Sequence, residues 1–163
     1  MFKLMKWLFL ILVLAACKPK TTQINGETFG VIPGTDLSRI RTELQRNGFQ
    51  SFKDDNQQPV SYSFVRDDRS REDKLVLSGS NPSNIVGIEA THISLDSTIN
   101  DRNAKNFLGW IAEIPRGDRK AARFWLERNL YGYDIDTVIS GVRFNIKTKS
   151  NRISFKIRSD QRY

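Results

Sequence analysis

The sequence predicts an α+β fold, a two-layer sandwich with a mainly antiparallel sheet and helices packed on one face. Near the carboxyl end, Val142, Phe144 and Ile146 alternate with polar residues, as in a strand with one buried face. Three other segments repeat apolar residues at helical spacing. Strands and helices do not alternate regularly, which argues against a parallel βαβ sheet. These observations predict one α+β domain over residues 29–163.

The first helix is predicted over Asp36 to Asn47, after a short strand at 29–32. Its apolar residues share one helical face: Leu37, Ile40 and Leu44. Thr35 or Asp36 can cap its N-terminus, and Gly48 suits a left-handed stop.

The middle of the chain is predicted to consist mainly of strands. They are expected at 49–52, from Val60 onward, at 75–77 and at 85–95. The polar run 53–58 is expected to be a turn. The stretch Arg66–Asp73 is expected to be a solvated hairpin loop, because its opposite charges nearly cancel.

Two further helices are predicted, over 101–114 and 118–130, with the segment Pro115–Gly117 between them. A carboxy-terminal hairpin follows, with strands around 142–147 and 153–158. One face of this hairpin is apolar and the other is basic.

The amino terminus has the pattern of an export signal. Lys3 and Lys6 precede the apolar run Trp7–Val13, which is too short to span a bilayer, since a spanning helix needs about 20 residues. Two small residues and a cysteine follow at Ala15, Ala16 and Cys17.

The segment Leu14-Ala15-Ala16-Cys17 resembles the lipobox of bacterial lipoprotein precursors. The resemblance covers the first 17 residues. It implies cleavage before Cys17, a thioether-linked diacylglycerol on its thiol and further acylation, typically with palmitate. In enterobacterial lipoproteins an aspartate after the cysteine retains the protein in the inner membrane. Lys18 at that position implies the periplasmic face of the outer membrane.

Removal of residues 1–16 would leave 147 of the 163 residues, the size of one ordinary domain. Residues 17–28 are expected to be the lipidated cysteine and a flexible polar tether. Cys17 is the single cysteine, so lipidation leaves none for a disulfide.

Candidates for catalysis are few. His92 is the only histidine, and it shares the parity of the apolar positions in its strand, which favours a partly buried, hydrogen-bonded side chain. Asp134 and Asp136 alternate on an extended segment and could meet a cation or a sugar. No His/Cys cluster, P-loop or nucleophile elbow is present, so no metal and no cofactor are expected.

Positive charge is the remaining functional signal. The net charge is +8, and it falls to +6 when Lys3 and Lys6 are removed with the signal. One cluster of basic residues lies near the third helix, around Arg116 and Arg123. The hairpin carries five basic residues that can share one surface and bind an anion or a partner: Arg143, Lys147, Arg152, Lys156 and Arg158.

The sequence therefore favours a membrane-anchored periplasmic lipoprotein that acts as a non-enzymatic binding or accessory module. Its expected partners are the membrane, through the lipid on Cys17, and another envelope protein, lipopolysaccharide or anionic glycan. An envelope location argues against nucleic acid. Two alternatives stay open: an envelope hydrolase or glycan-modifying enzyme using His92, Asp134 or Asp136, and an exclusion or immunity lipoprotein.

Overall fold

The computed structural model describes residues 20–54, 59–95 and 101–160. The signal segment with Cys17 lies outside the described residues, as does most of the turn expected at 53–58.

The described residues form three helices, a two-stranded sheet and a seven-stranded antiparallel sheet, which confirms the predicted fold class. The strands are β1 Thr21–Ile24, β2 Glu27–Gly30, β3 Gln50–Asp54, β4 Val60–Asp68, β5 Arg71–Gly79, β6 Ile85–Ser94, β7 Ile135–Ile139, β8 Val142–Lys149 and β9 Arg152–Ser159. The helices are α1 Leu37–Arg46, α2 Asp101–Ala112 and α3 Arg119–Asn129. The large sheet has the strand order β3-β4-β5-β6-β9-β8-β7, so β6 and β9 join its two halves.

The core lies between one face of this sheet and the helices. Alternate strand residues such as Phe64, Leu75 and Phe155 are fully buried, together with helix residues such as Leu108 and Leu126. Each such side chain contributes about 1.5–3 kcal/mol when it leaves water. We call the helix-covered side of the sheet the inner face and the opposite side the outer face.

Helix α1 begins and ends as its sequence predicts. Asp36 is the N-cap, and its carboxylate accepts hydrogen bonds from the amides of Ser38 and Arg39 at 3.0 and 3.3 Å. Hydrogen bonds, first that from the Ser38 hydroxyl, hold the pKa of Asp36 below its ordinary value. After the helix, Gly48 adopts the left-handed conformation with φ of 80°.

Residues 20–28 of the segment expected to be a flexible tether are folded instead. β1 and β2 pair through Ile24 and Glu27 across a two-residue turn. Asn25 and Gly26 both have positive φ, 51° and 83°, as a type I′ hairpin requires. The Asn-Gly pair is the sequence signal for this turn, and buried Ile24 secures the hairpin to the domain.

The stretch Arg66–Asp73 is not a solvated loop. β4 continues to Asp68 and β5 starts at Arg71, so only Arg69 and Ser70 form the turn. The charged residues pair across the strands, with Arg66 opposite Asp73. Successive charged side chains of this stretch point to opposite faces of the sheet. Some of them therefore lie on the inner face, beside the core.

A close backbone approach fixes the loop between α2 and α3. The amide of Arg116 donates to the Pro33 carbonyl oxygen at 2.6 Å. Gly34, with φ of 78°, leaves room for this contact, because a Cβ there would stand 2.9 Å from the Arg116 backbone nitrogen.

Among the described residues, no helix combines the length and the apolar character that crossing a membrane requires.

Candidate functional site

A polar cavity of about 370 Å³ opens where α1, α2 and the ends of β4 and β5 meet. Glu43 and Asn47 come from the last turn of α1 and its C-cap. The walls combine aromatic, amide and cationic side chains: Phe49, Arg66, Arg71, Asn106, Phe107 and Trp110.

The cavity is polar because the inner face changes character at this end of the sheet. On β4 the buried residues Tyr62 and Phe64 are followed at the same parity by Arg66. On β5, Leu75 is preceded at the same parity by Asp73 and Arg71. The strand period therefore places two arginines and an aspartate at the edge of the apolar core.

Asp73 organises this cluster. Its side chain is fully buried, and its two oxygens bind different partners. Oδ1 lies 2.6 Å from Nδ1 of His92, and Oδ2 accepts a 2.6 Å hydrogen bond from Nη2 of Arg66. A buried carboxylate needs such partners, because desolvation disfavours an unpaired charge.

Arg66 is fixed on three sides. Besides Asp73, it donates through Nη1 to the Asn47 carbonyl oxygen at 3.2 Å. Its guanidinium lies 4.6 Å from the ring centre of Phe49, which in turn stacks on Phe107 at 5.6 Å. These contacts hold a cation against an aromatic wall of the cavity.

Three buried nitrogen atoms around Asp73 have no hydrogen-bond partner among the described residues. They are Nε of Arg66, Nε of Arg71 and Nε2 of His92. A carboxylate oxygen can only accept, so Nδ1 of His92 donates the hydrogen bond to Asp73, and Nε2 at the other side of the ring is left without a partner among the described residues. The site thus retains unused hydrogen-bonding capacity.

His92 was expected to be partly buried and hydrogen-bonded. It is fully buried, and its partner is Asp73. Sequence reasoning missed Asp73, Arg66 and Arg71 as site residues because it assigned their segment to a loop. The signal that could have found them is the period-two alternation of β4 and β5, continued to the charged turn.

The five basic hairpin residues do share one surface, the outer face of β8 and β9, but acidic residues lie among them. Arg143 pairs with Asp136 at 2.6 Å and with Asp160 at 2.7 Å. Lys147 pairs with Asp134 at 3.4 Å, and Lys156 with Glu89 at 3.1 Å. Exposed pairs of this kind contribute little stability, but they offset much of the positive charge.

Arg152 and Arg158 are the exceptions, since neither forms an ion pair with a described residue.

The ion pairs of the outer face also shift the pKa values of the residues that form them. Hydrogen bonds from Asn145 and then Lys147 lower the pKa of Asp134. Hydrogen bonds to Asp160 and then Asp136 raise the pKa of Arg143.

The three candidate catalytic residues are not brought together. His92 lies on the inner face of β6, whereas Asp136 lies on the exposed outer face of β7, three strands away. Asp134 is engaged by Asn145 and Lys147 on that same outer face. Within the described ranges, no group of three or more His, Cys, Asp or Glu side chains is placed to hold a metal ion.

Replacement of Asp73 by alanine is expected to lower the free energy of unfolding by about 3 kcal/mol or more, because it leaves Arg66 and His92 buried without their shared carboxylate. The measurement is urea denaturation. Asp67→Ala, which removes a neighbouring exposed carboxylate, is the matched control and should change stability by about 0.5 kcal/mol or less. Equal losses in the two variants would contradict the central role of Asp73.

Asn145→Ala is expected to raise the pKa of Asp134 toward its ordinary value, because it removes the first of the hydrogen bonds that lower it. A lowered carboxyl pKa stabilises the fold above the pKa of the unfolded chain, and this stabilisation is lost as the pH falls through the folded pKa. The difference in free energy of unfolding between the wild type and Asn145→Ala should therefore become smaller as the pH falls. Carboxyl NMR titration measures the pKa directly, with Ser154→Ala as control. An unchanged Asp134 titration in Asn145→Ala would refute the assignment.

Comparisons of the chain with known protein families, with curated proteins and with solved structures give no significant match.

Proposed function

We propose that this protein is a lipoprotein of the bacterial cell envelope, anchored through lipid on Cys17, and that it acts as a non-enzymatic binding module for another envelope component. The observation that carries the proposal is the polar cavity, which lies at the end of the sheet remote from the start of the described chain. The lipobox resemblance supplies the anchor and the expected outer-membrane location.

The start of the described chain contacts one end of the sheet. Lys20 donates through Nζ to the Ser83 carbonyl oxygen at 3.4 Å, in the turn between β5 and β6. Its own carbonyl accepts from the amide of Val31 at 2.9 Å. The hydroxyls of Thr22 and Ser80 lie 2.7 Å apart. These contacts place the first folded residues beside the β5–β6 turn.

This attachment favours one orientation on a membrane. Cys17 precedes Lys20 by three residues, which span at most roughly 11 Å. A lipidated Cys17 would therefore hold the β5–β6 turn close to the bilayer. Two or more acyl chains, at about 0.8 kcal/mol for each buried methylene, make such an anchor stable.

The cavity lies at the other end of the same strand. β5 runs from Arg71 in the cavity wall to Gly79 beside the β5–β6 turn, a rise of about 26 Å. An anchored domain would consequently direct the cavity away from its own lipid headgroups and toward the periplasm. This orientation suits a module that meets a partner from the periplasmic space.

Cys17→Ser is expected to abolish lipid attachment and to release the protein from the membrane fraction, because the serine hydroxyl cannot form the thioether. The measurement is metabolic labelling with an alkyne fatty acid, followed by membrane fractionation. Lys18→Ser is the matched control and should keep both label and membrane association. Labelling of Cys17→Ser at the wild-type level would contradict the anchor.

Capture of envelope components by the tagged full-length chain, from cross-linked and detergent-solubilised envelopes, tests the binding function. We expect a reproducible component that Arg71→Gln loses and Arg69→Gln retains, because Arg71 lines the cavity and the exposed Arg69 does not. Arg152→Gln/Arg158→Gln tests the outer face without breaking an ion pair between described residues.

Loss in the double variant alone would move the contact to the basic outer face. Absence of any reproducible component with the wild-type chain would contradict the binding function.

A further inference from the structure

We infer that three cations, Arg116, Arg119 and Lys120, contact the anionic phospholipid headgroups of the membrane to which the lipid on Cys17 attaches the protein. We call these three residues the basic end cluster. The inference rests on the proposed anchor and adds a second membrane contact to it. It is carried by the position of the cluster in the fold, by its exposure and by its unfavourable place at the start of a helix.

The basic end cluster lies at the same end of the sheet as the start of the described chain. Pro33 accepts the hydrogen bond from the Arg116 amide, and the residue before Pro33 donates its amide to the Ile85 carbonyl at 2.8 Å, where β6 leaves the β5–β6 turn. On the other side of the cluster, the Asp118 amide donates to the Ser140 hydroxyl at 3.3 Å, in the turn between β7 and β8.

The β5–β6 and β7–β8 turns stand side by side at this end of the sheet. The strand order is β5-β6-β9-β8-β7, and the start of β6 and the start of β8 both face the end of β9. Neighbouring strands lie about 4.8 Å apart, which places the two turns about 14 Å from each other. A lipid anchor beside one turn and cations beside the other would meet the same bilayer surface at two points.

The direction of α3 aims its first side chains toward that surface. The helix starts at Arg119 and ends near the opposite end of the sheet, where the Leu130 carbonyl accepts the Thr148 hydroxyl at 2.7 Å. Because helical side chains tilt toward the helix N-terminus, Arg119 and Lys120 extend beyond the start of α3. Both are exposed, as is Arg116, and none of the three forms an ion pair with a described residue.

The fold itself gains nothing from two cations at this position. The N-terminus of a helix carries a partial positive charge, so basic residues in the first turn are unfavourable. The first turn of α3 nevertheless contains Arg119 and Lys120 and no acidic residue. Sequences break such local rules mainly at functional positions. A negatively charged surface outside the domain would compensate these two charges.

The charges around the cluster also sum to a positive value. The loops, hairpin and first helical turns at this end carry five exposed cations and three exposed carboxylates, a net charge of +2: Lys20, Arg39, Arg116, Arg119 and Lys120 against Glu27, Asp36 and Asp118. Two of these carboxylates, Asp36 and Asp118, cap helices. Nearby, Glu113 is paired with Arg123, and Asp160 with Arg143.

The shape of this surface favours an array of headgroups over a single small ligand. The crevice beside Arg116 and Arg119 has a volume of about 10 Å³, far below that of a small-molecule site. Arg119 also borders a groove of about 180 Å³, but Glu43 and Glu113 line the same groove and disfavour an anion inside it. The three cations are therefore suited to a flat anionic surface.

The test measures the reactivity of single lysines in the lipidated protein, purified from membranes and reconstituted into nanodiscs. Discs of phosphatidylcholine are compared with discs of equal parts phosphatidylcholine and phosphatidylglycerol, and acetylation of each lysine is followed by mass spectrometry. We expect Lys120 to react about fivefold more slowly on the anionic discs, because each cation near an anionic surface gains about that factor in binding. Lys149, exposed at the other end of the sheet, should react equally on both discs. Salt at about 1 M should remove the difference for Lys120.

Arg116→Gln/Arg119→Gln keeps Lys120 as the reporter and should lose most of its protection on the anionic discs. The variant is expected to unfold at no lower urea concentration than the wild type, since it removes a cation from the first turn of α3. Arg69→Gln/Lys149→Gln makes the same charge change in turns at the other end of the sheet and should keep the protection of Lys120.

The disc comparison uses the wild-type chain, so it does not depend on the folding of a variant. Equal Lys120 rates on the two discs, equal slowing of Lys149, or full protection in Arg116→Gln/Arg119→Gln would overturn the inference. The anchor would stand in each of these cases, because the protein is held on the discs. A wild-type protein that carries no lipid and does not associate with the discs would contradict the anchor and, with it, the second contact.

Discussion

The burial of one negative charge at the end of an apolar sheet face is the constraint on which this site depends. Asp73 has no access to solvent, so its charge must be compensated by the groups around it. His92 and Arg66 meet its two oxygens, and this requirement fixes a cation against Phe49 at the cavity wall. The geometry of the cavity thus follows from the electrostatics of the strand ends beneath it.

The same alternation that buries Asp73 exposes the charges of the outer face. On the outer face, contact with water lowers the free-energy cost of each charged side chain. The strands there place acidic residues beside basic ones, as with Lys156 and Glu89. The two faces use charge differently. On the outer face the pairs contribute little stability and leave Arg152 and Arg158 without acidic partners among the described residues, whereas on the inner face a single carboxylate holds several groups in place.

Local periodicity predicted much of the fold. The carboxy-terminal hairpin and helix α1, with its Asp36 cap and Gly48 stop, were predictable because their signals lie within a few residues. The β1–β2 hairpin was not, since its short strands contain little apolar surface and only Asn25-Gly26 marks it.

The site was the hardest part to predict. His92 could be placed on the buried parity of its strand, but its partner depends on the register between β5 and β6, which sets Asp73 opposite His92. Nothing in the local sequence around Arg66 indicates that its charge will be compensated by a residue on the next strand. Charged residues at the ends of strands look like loops until cross-strand pairing is known.

The contacts of Lys20 with the β5–β6 turn have a mechanical consequence under the proposed anchoring. Because few residues would separate the lipid from the folded domain, the domain could reach only a small volume around its anchor. The end of the sheet that holds the cavity would then stay at a nearly constant height above the bilayer. Encounters are then confined to a thin layer parallel to the membrane. Partners that reach into that layer experience a high local concentration of the cavity, and those confined nearer the lipid surface do not.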